Sequence, residues 1–105
     1  GGVAQGACQA LLEDIHFDKA GQLVTASFMD YAMPRAHNFP AIKVEANPVP
    51  TKTNPLGTKG AGEAGCVGGL PAVVNAVVNA LSDYGVTHVE MPATPERIWR
   101  ILNRK

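Results

Sequence analysis

The spacing of apolar residues changes several times along the chain, and each change marks a predicted element. Over residues 3–15, Val3, Ala7, Ala10, Leu11 and Ile15 recur mostly at intervals of three and four. That is the period of one helix face, so a helix is expected there although Gly6 weakens it. Ile15-His16-Phe17 and the run 23–28 then flank Asp18-Lys19-Ala20-Gly21, a glycine-containing turn of hairpin length, which predicts a β-hairpin. Pro34 and Pro40 interrupt the next stretch. Ile42 and Val44 then alternate with Lys43 and Glu45, the period of two expected of a half-buried strand. From 48 to 69 no periodicity survives, and the glycines at 57, 60, 62, 65, 68 and 69 suit positive φ angles or close backbone approach. Pro71 is well placed to open a helix whose stripe is Val73, Val74, Val77, Val78 and Leu81 and whose stop is Gly85. Residues 86–91 predict a short strand. Thr94 followed by Pro95 gives a cap and first turn for a last helix carrying Ile98, Trp99, Ile101 and Leu102, and the chain ends in a basic turn. Together these elements predict an α+β fold: a small mixed β-sheet, including the hairpin, packed by about three helices.

Composition narrows what such a fold does. With 105 residues one modest core is the ceiling. Nine basic and nine acidic side chains cancel, which argues against nucleic acid or an anionic membrane as partner. Apolar runs are broken well short of the roughly 20 residues that span a bilayer, and no basic segment precedes an apolar run at the start. Cys8 and Cys66 stand far apart without metal-ligand spacing, so neither a disulfide framework nor a zinc site is indicated, and a reduced, cytoplasmic setting is expected. Many of the 11 glycines and 8 prolines fall between 48 and 71, a long connection for a compact domain and one expected to be functional or to lean on something else. The opening Gly-Gly-Val-Ala-Gln-Gly, with apolar residues already at helical spacing, reads as the interior of a longer protein.

Chemistry concentrates in that glycine-rich stretch. Gly60-Ala61-Gly62-Glu63-Ala64-Gly65 satisfies the GxGxxG string, but a dinucleotide site needs a buried strand immediately before it and a helix opening within it. The residues before it are rich in Pro and Thr, and the next helix is expected only at Pro71. What remains is a carboxylate, Glu63, carried by glycine-rich backbone ahead of a helix. As a residue alone it is more readily a solvated side chain or a partner of the helix dipole; it becomes a general base if burial against other protein or a cofactor raises its pKa.

Several ordered motifs resemble one family. Residues 1–13, Gly-Gly-Val-Ala-Gln-Gly-Ala-Cys-Gln-Ala-Leu-Leu-Glu, are similar to a glycine-rich helix that begins near a pterin cofactor. Residues 25–35, Thr-Ala-Ser-Phe-Met-Asp-Tyr-Ala-Met-Pro-Arg, resemble a strand motif, and 54–65, Asn-Pro-Leu-Gly-Thr-Lys-Gly-Ala-Gly-Glu-Ala-Gly, resemble a loop bearing a catalytic glutamate. Pro71-Ala-Val-Val-Asn-Ala and the closing 91–100 follow in the same order. The family is the molybdenum-binding large subunit of the xanthine oxidase group, and the wording at 27–31 and 62–65 is most similar to the carbon monoxide dehydrogenase-like large chains, a subgroup that also oxidises aldehydes and N-heterocycles. The chain departs from the pattern at Cys8, where a second glycine is usual, and at Cys66, where small or hydroxyl residues are common. Both departures suit packing.

The resemblance implies that residues 1–105 are the C-terminal segment of a molybdopterin-binding domain, with the catalytic loop at 54–69. It implies hydroxylation with water as oxygen source, Glu63 acting as general base at the molybdenum centre. Gln5, Gly2, Gly6 and Gly62 become candidates for contact with molybdopterin, expected in its cytosine dinucleotide form, because amides and exposed N–H groups hydrogen-bond a polar heterocycle and phosphate; Gln5 is equally well read as a surface helical residue. Lys59, four positions before Glu63, is either a solvated loop lysine or a group that orients substrate. No residue of the chain is assigned as a metal ligand. Iron-sulfur clusters and FAD are expected on other domains or subunits, the partners being the rest of the large subunit and those subunits. The substrate is left open between carbon monoxide, aldehyde, purine and other heterocycles, since the copper-binding cysteine that marks carbon monoxide oxidation belongs to a loop upstream of this segment. As an isolated piece the chain is expected to be inert. The competing reading, an independent non-catalytic binding or structural domain, predicts a self-contained core.

Overall fold

The computed structural model of the chain describes residues 1–104. Its elements are three α-helices, α1 (Gly2–Leu11), α2 (Ala64–Ala80) and α3 (Pro95–Leu102), with single 3₁₀ turns at Ala36–Asn38 and Ser82–Tyr84. Helix α1 buries Gly6, Ala7, Cys8 and Ala10. It stops short of the expected Ile15, its last turn widening where the Glu13 N–H reaches back five residues to share the Cys8 carbonyl with the Leu12 N–H, both at 2.8 Å.

Helix α2 begins at Ala64, seven residues before the expected start, and carries Pro71 in its interior. Local propensity opposes this: each interior glycine costs about 1 kcal/mol relative to alanine and an interior proline about 3. The contact with α1 supplies the compensation. Built-on Cβ atoms at Gly2 and Gly65 would lie 3.1 and 2.9 Å from backbone of the facing helix, and at Gly6 only 2.7 Å from the Cys66 carbonyl oxygen and the Leu70 nitrogen. Four glycines, Gly2 and Gly6 on α1 with Gly65 and Gly69 on α2, thus let the two backbones touch where any side chain would hold them apart. Gly2 faces Gly65, Gly6 faces Gly69, and Leu11 packs beside Val77, Val78 and Leu81. The helices therefore run in the same direction, start beside start.

Beyond this crossing lies a small core of Leu81, Val89 and Ala93, flanked by Leu11, Val77, Val78, Val86, Ile98 and Ile101. The expected stop holds: Gly85 takes φ 75° after the turn that ends α2. The chain then returns in extended form to α1, where the Ala93 N–H donates to the Ala10 carbonyl at 2.7 Å, just past a cis Met91–Pro92 bond. Arg97 fastens the same corner, donating to the Pro92 carbonyl at 3.1 Å and to Asp14 at 3.2 Å. The Thr94 cap forms as expected, its hydroxyl oxygen accepting from the Arg97 N–H at 3.3 Å.

The expected mixed sheet does not form, and the fold is helical rather than α+β. Among the described residues there is no strand; the hairpin is reduced to an isolated antiparallel bridge between Phe17 and Leu23. Its turn is nevertheless made, with Asp18 Oδ1 accepting from the N–H groups of Ala20 and Gln22 at 2.8 and 2.9 Å. The reason is the lack of anything to pack on: a lone pair of strands is marginal in water without a third strand or a helix against its apolar face, and Phe17 and Val24 are left 63% and 52% exposed. Residues 42–46 and 86–91, expected as strands, likewise form none.

The buried hydrophobic set is correspondingly thin. Among the described residues it comprises Ala7, Cys8, Ala10, Leu81, Val89 and Ala93, with no large side chain fully buried. The Cα radius of gyration is 17.7 Å, against about 13 Å for a compact chain of this length. None of the described helices is long and apolar enough to cross a membrane.

Candidate functional site

Glu63 sits immediately before the first residue of α2, at the end of the glycine-rich loop and beside the start of α1. Its φ and ψ, −100° and −5°, are already nearly helical, and its carbonyl accepts from the Val67 N–H at 3.0 Å. The carboxylate caps nothing, has no hydrogen bond or ion pair among the described residues, and is exposed. The helix thus opens inside the GxGxxG string, correcting the expectation that it waits for Pro71. No strand precedes it, so the dinucleotide geometry is still incomplete.

The loop ahead of Glu63 is organised by a residue that sequence reasoning passed over. Asn54 Oδ1 accepts from the Thr58 N–H at 3.1 Å while its Nδ2 donates to the Thr58 carbonyl at 2.9 Å. The Gly57 N–H donates to the Asn54 carbonyl at 3.1 Å, and the Thr51 N–H to the Gly57 carbonyl at 3.0 Å. Gly57, at φ 65° with a Cβ position 3.0 Å from Pro50 Cβ, is the one loop glycine whose backbone demands the residue. The available signal was Asn54-Pro55, a dipeptide that favours turn initiation. Lys59 lies beyond this knot, exposed. Gly60 and Gly62 have open space where a Cβ would stand.

Of the residues expected at a pterin, Gln5 is exposed on α1. Gly2 and Gly6 are turned onto α2, and Gly6 is buried there. Cys8 and Cys66 are free. The Cys8 thiol donates to the Ala32 carbonyl at 3.6 Å and lies 4.0 Å from the Tyr31 hydroxyl, which places the 25–35 motif against α1. Burial, with a smaller contribution from Glu13, pushes the Cys8 pKa up against the lowering effect of Tyr31. Burial, followed by its contact with Cys8 and the nearby Glu13, pushes Tyr31 up to about 12. Cys66 donates to Gln9 Oε1 at 3.8 Å.

The donor set fits a polar heterocycle bearing phosphate. Two helix starts lie side by side, each with first-turn N–H groups that no helical carbonyl can satisfy, and Gln5 offers an amide near one of them. Among the described residues no group of three or more His, Cys, Asp or Glu side chains is placed to hold a metal ion. Two clefts of about 630 and 600 Å³ lie elsewhere, one against α3 beside Arg97 and Arg100, the other between α2 and residues 88–91.

The starts of α1 and α2 thus lie side by side with a carboxylate that has no partner among the described residues, and comparison with known proteins identifies the class. Residues 1–40 match the molybdopterin cofactor-binding domain family. The nicotine 6-hydroxylase large subunit of Paenarthrobacter nicotinovorans is 41% identical over 100 residues, 95% of this chain and 12% of that protein. The carbon monoxide dehydrogenase large chain of Hydrogenophaga pseudoflava is 36% identical over 102 residues, 97% of this chain and 13% of that protein. Among solved structures, quinoline 2-oxidoreductase from Pseudomonas putida 86 superposes with a TM-score of 0.91 at 40% identity, over 100% of this chain and 13% of that one. The chain belongs to the molybdenum-binding large-subunit family of molybdenum hydroxylases, and it spans about 12% of the length of the curated relatives it matches.

Proposed function

We propose that this chain is a segment of the large subunit of a molybdenum hydroxylase, that the whole enzyme oxidises a small substrate with water as the oxygen source, and that Glu63 is its general base. The observation that carries the reading is a carboxylate without a partner among the described residues at the start of α2, next to the start of α1, in a chain aligned along 95% of its length with a hydroxylase subunit. When bound, the molybdenum cofactor, in the cytosine dinucleotide form, supplies the two-electron acceptor and the Lewis acidity that makes water a usable nucleophile. Gln5 and first-turn N–H groups of α1 hydrogen-bond the pterin and its phosphates. Gly62 leaves room for close approach, Lys59 orients the substrate, and Glu63 accepts a proton on a carboxylate oxygen. The rest of the subunit would enclose this carboxylate, which is exposed in the present segment, and shield it from water.

The relatives at 41% and 40% identity act, by their names, on nicotine and quinoline, and of those at 36% and 34% two act on carbon monoxide and one on 6-hydroxypseudooxynicotine. N-heterocycles therefore head the substrate list, ahead of aldehydes and carbon monoxide. Iron-sulfur and flavin subunits are the partners that carry electrons away; a cytoplasmic setting accords with the two free cysteines. A self-contained binding domain is the poorer account of a chain with so few buried residues and with Phe28, Met29, Val44 and Leu56 each more than three-quarters exposed.

The test is turnover by the parent complex carrying Glu63→Gln, assayed with N-heterocycles, aldehydes and carbon monoxide. General base catalysis contributes about 10²- to 10⁴-fold, so the rate per molybdenum should fall at least a hundredfold while metal content holds. An unchanged rate defeats the assignment.

A further inference from the structure

We propose that the glycine crossing of α1 and α2 is what positions Glu63, with Gly65 as the positioning residue. The proposal rests on the reading of Glu63 as the base.

Among the described residues little on the loop side fixes that carboxylate. The bonds of Asn54 end at Thr58, Gly60 and Gly62 stand in open space, the side chain has no partner, and between 59 and 64 the one bond is from the Ala64 N–H to the Ala61 carbonyl at 3.2 Å. The helix side fixes it closely. Through the 3.0 Å bond from the Val67 N–H to its carbonyl, Glu63 moves with the first turn of α2, and Gly65 lies in that turn. A Cβ at Gly65 would stand 2.9 Å from the Val3 nitrogen and 3.1 Å from both the carbonyl carbon and Cα of Gly2; a Cβ at Gly2 would meet the Cys66 nitrogen at 3.1 Å. These neighbours are backbone, not the end of a side chain that can swing aside. An added methyl is accommodated only by moving the start of α2 off α1 by roughly half an ångström or more, because packed interiors transmit such strain. Glu63, two residues upstream, moves with it.

Reacting groups must be held to within about 1 Å, and a misplacement of that size costs on the order of a hundredfold. Gly65 touches no reacting atom. Its contribution is to let α2 start in contact with α1, so that the carboxylate and the donors of α1 face the same cofactor in fixed register. The same geometry gives Gly2 and Gly6 a role independent of any contact they make with the pterin.

The experiment uses the full parent complex with Gly65→Ala, Gly69→Ala and Gly68→Ala, normalised to molybdenum content and run beside Glu63→Gln. Gly69 is a milder crossing position, its Cβ site 3.2 Å from the Val3 carbonyl oxygen, whereas Gly68 is on the same helix with open space around it. The expected result for Gly65→Ala is a fall in kcat of ten- to a hundredfold with KM changed less than threefold, and a move of about half a pH unit or more in the acid limb of kcat/KM. Exchange of the Val67 amide should quicken in the same variant, with or without cofactor. Gly69→Ala should show a smaller change of the same kind and Gly68→Ala none. A structural role alone would lower the active fraction without moving the pH profile. Unchanged kcat and profile in Gly65→Ala, or equal losses in Gly65→Ala and Gly68→Ala, overturn the proposal. If Gly65→Ala does not assemble, Gly69→Ala decides by the same readouts. Glu63→Gln separates the two levels: if it abolishes turnover while the glycine variants are normal, the positioning fails and the base stands; if it is harmless, the base assignment has failed and the positioning with it.

Discussion

Replacing Gly6 by alanine tests whether the α1–α2 contact, rather than helix propensity, sustains this fold. Alanine at an interior helix position normally gains about 1 kcal/mol over glycine. At Gly6 the new methyl would stand 2.7 Å from the Cys66 carbonyl oxygen and the Leu70 nitrogen, and forcing such a contact apart costs about 1–3 kcal/mol. The net expectation for Gly6→Ala is destabilisation of up to about 2 kcal/mol, while Gly68→Ala, with no neighbour within 4 Å, keeps the propensity gain. The assay is equilibrium urea unfolding of the 105-residue chain followed by the helical signal at 222 nm, with an osmolyte added to bring the transition into range. With a urea m-value of about 1–2 kcal/mol per molar, the two midpoints should differ by roughly 0.5–3 M, Gly6→Ala being the lower. A Gly6→Ala midpoint equal to or above that of Gly68→Ala would refute the claim that backbone contact holds the helices together.

Three further outcomes are expected. Cys8 and Tyr31 both have pKa values raised on folding, Tyr31 to about 12, so the folded chain holds its protons longer than the unfolded one. Their contribution is complete below the unfolded pKa values, near 9 and 10, and is lost as pH rises through the folded ones; absorbance at 295 nm, compared with Tyr31→Phe, should show this phenol titrating near pH 12 together with loss of helical signal. Thr94→Ala removes the oxygen that accepts from the Arg97 N–H and should cost about 1 kcal/mol by the same urea measurement; no shift would mean the cap is redundant with the Arg97–Asp14 contact. Asn54→Ala removes both side-chain bonds to Thr58 and should speed amide exchange across 51–58 at least tenfold while leaving α1 and α3 unchanged; protection that persists would place the order of the loop elsewhere.

How much of this was legible beforehand depended on the range of the forces involved. That there are three helices and roughly where they lie, the Thr94-Pro95 start, the Gly85 stop and the Asp18–Gly21 turn are set by neighbours three or four residues away, and the sequence alone determined them. It also singled out the loop carrying Glu63 and the family whose motifs surround it. The sheet was misread because alternation at Ile42–Ala46 and around the turn reports a side chain's tendency to face a core, not whether a core is there to face; Phe17 and Val44 found none within this chain. Only the tertiary structure decided the start of α2, where contact with a helix some sixty residues away overrides glycine and proline, and only it showed that Gly2 and Gly6 face protein as well as the helix start. Backbone contact between distant glycines leaves no periodic trace in a sequence, because its signal is the absence of side chains.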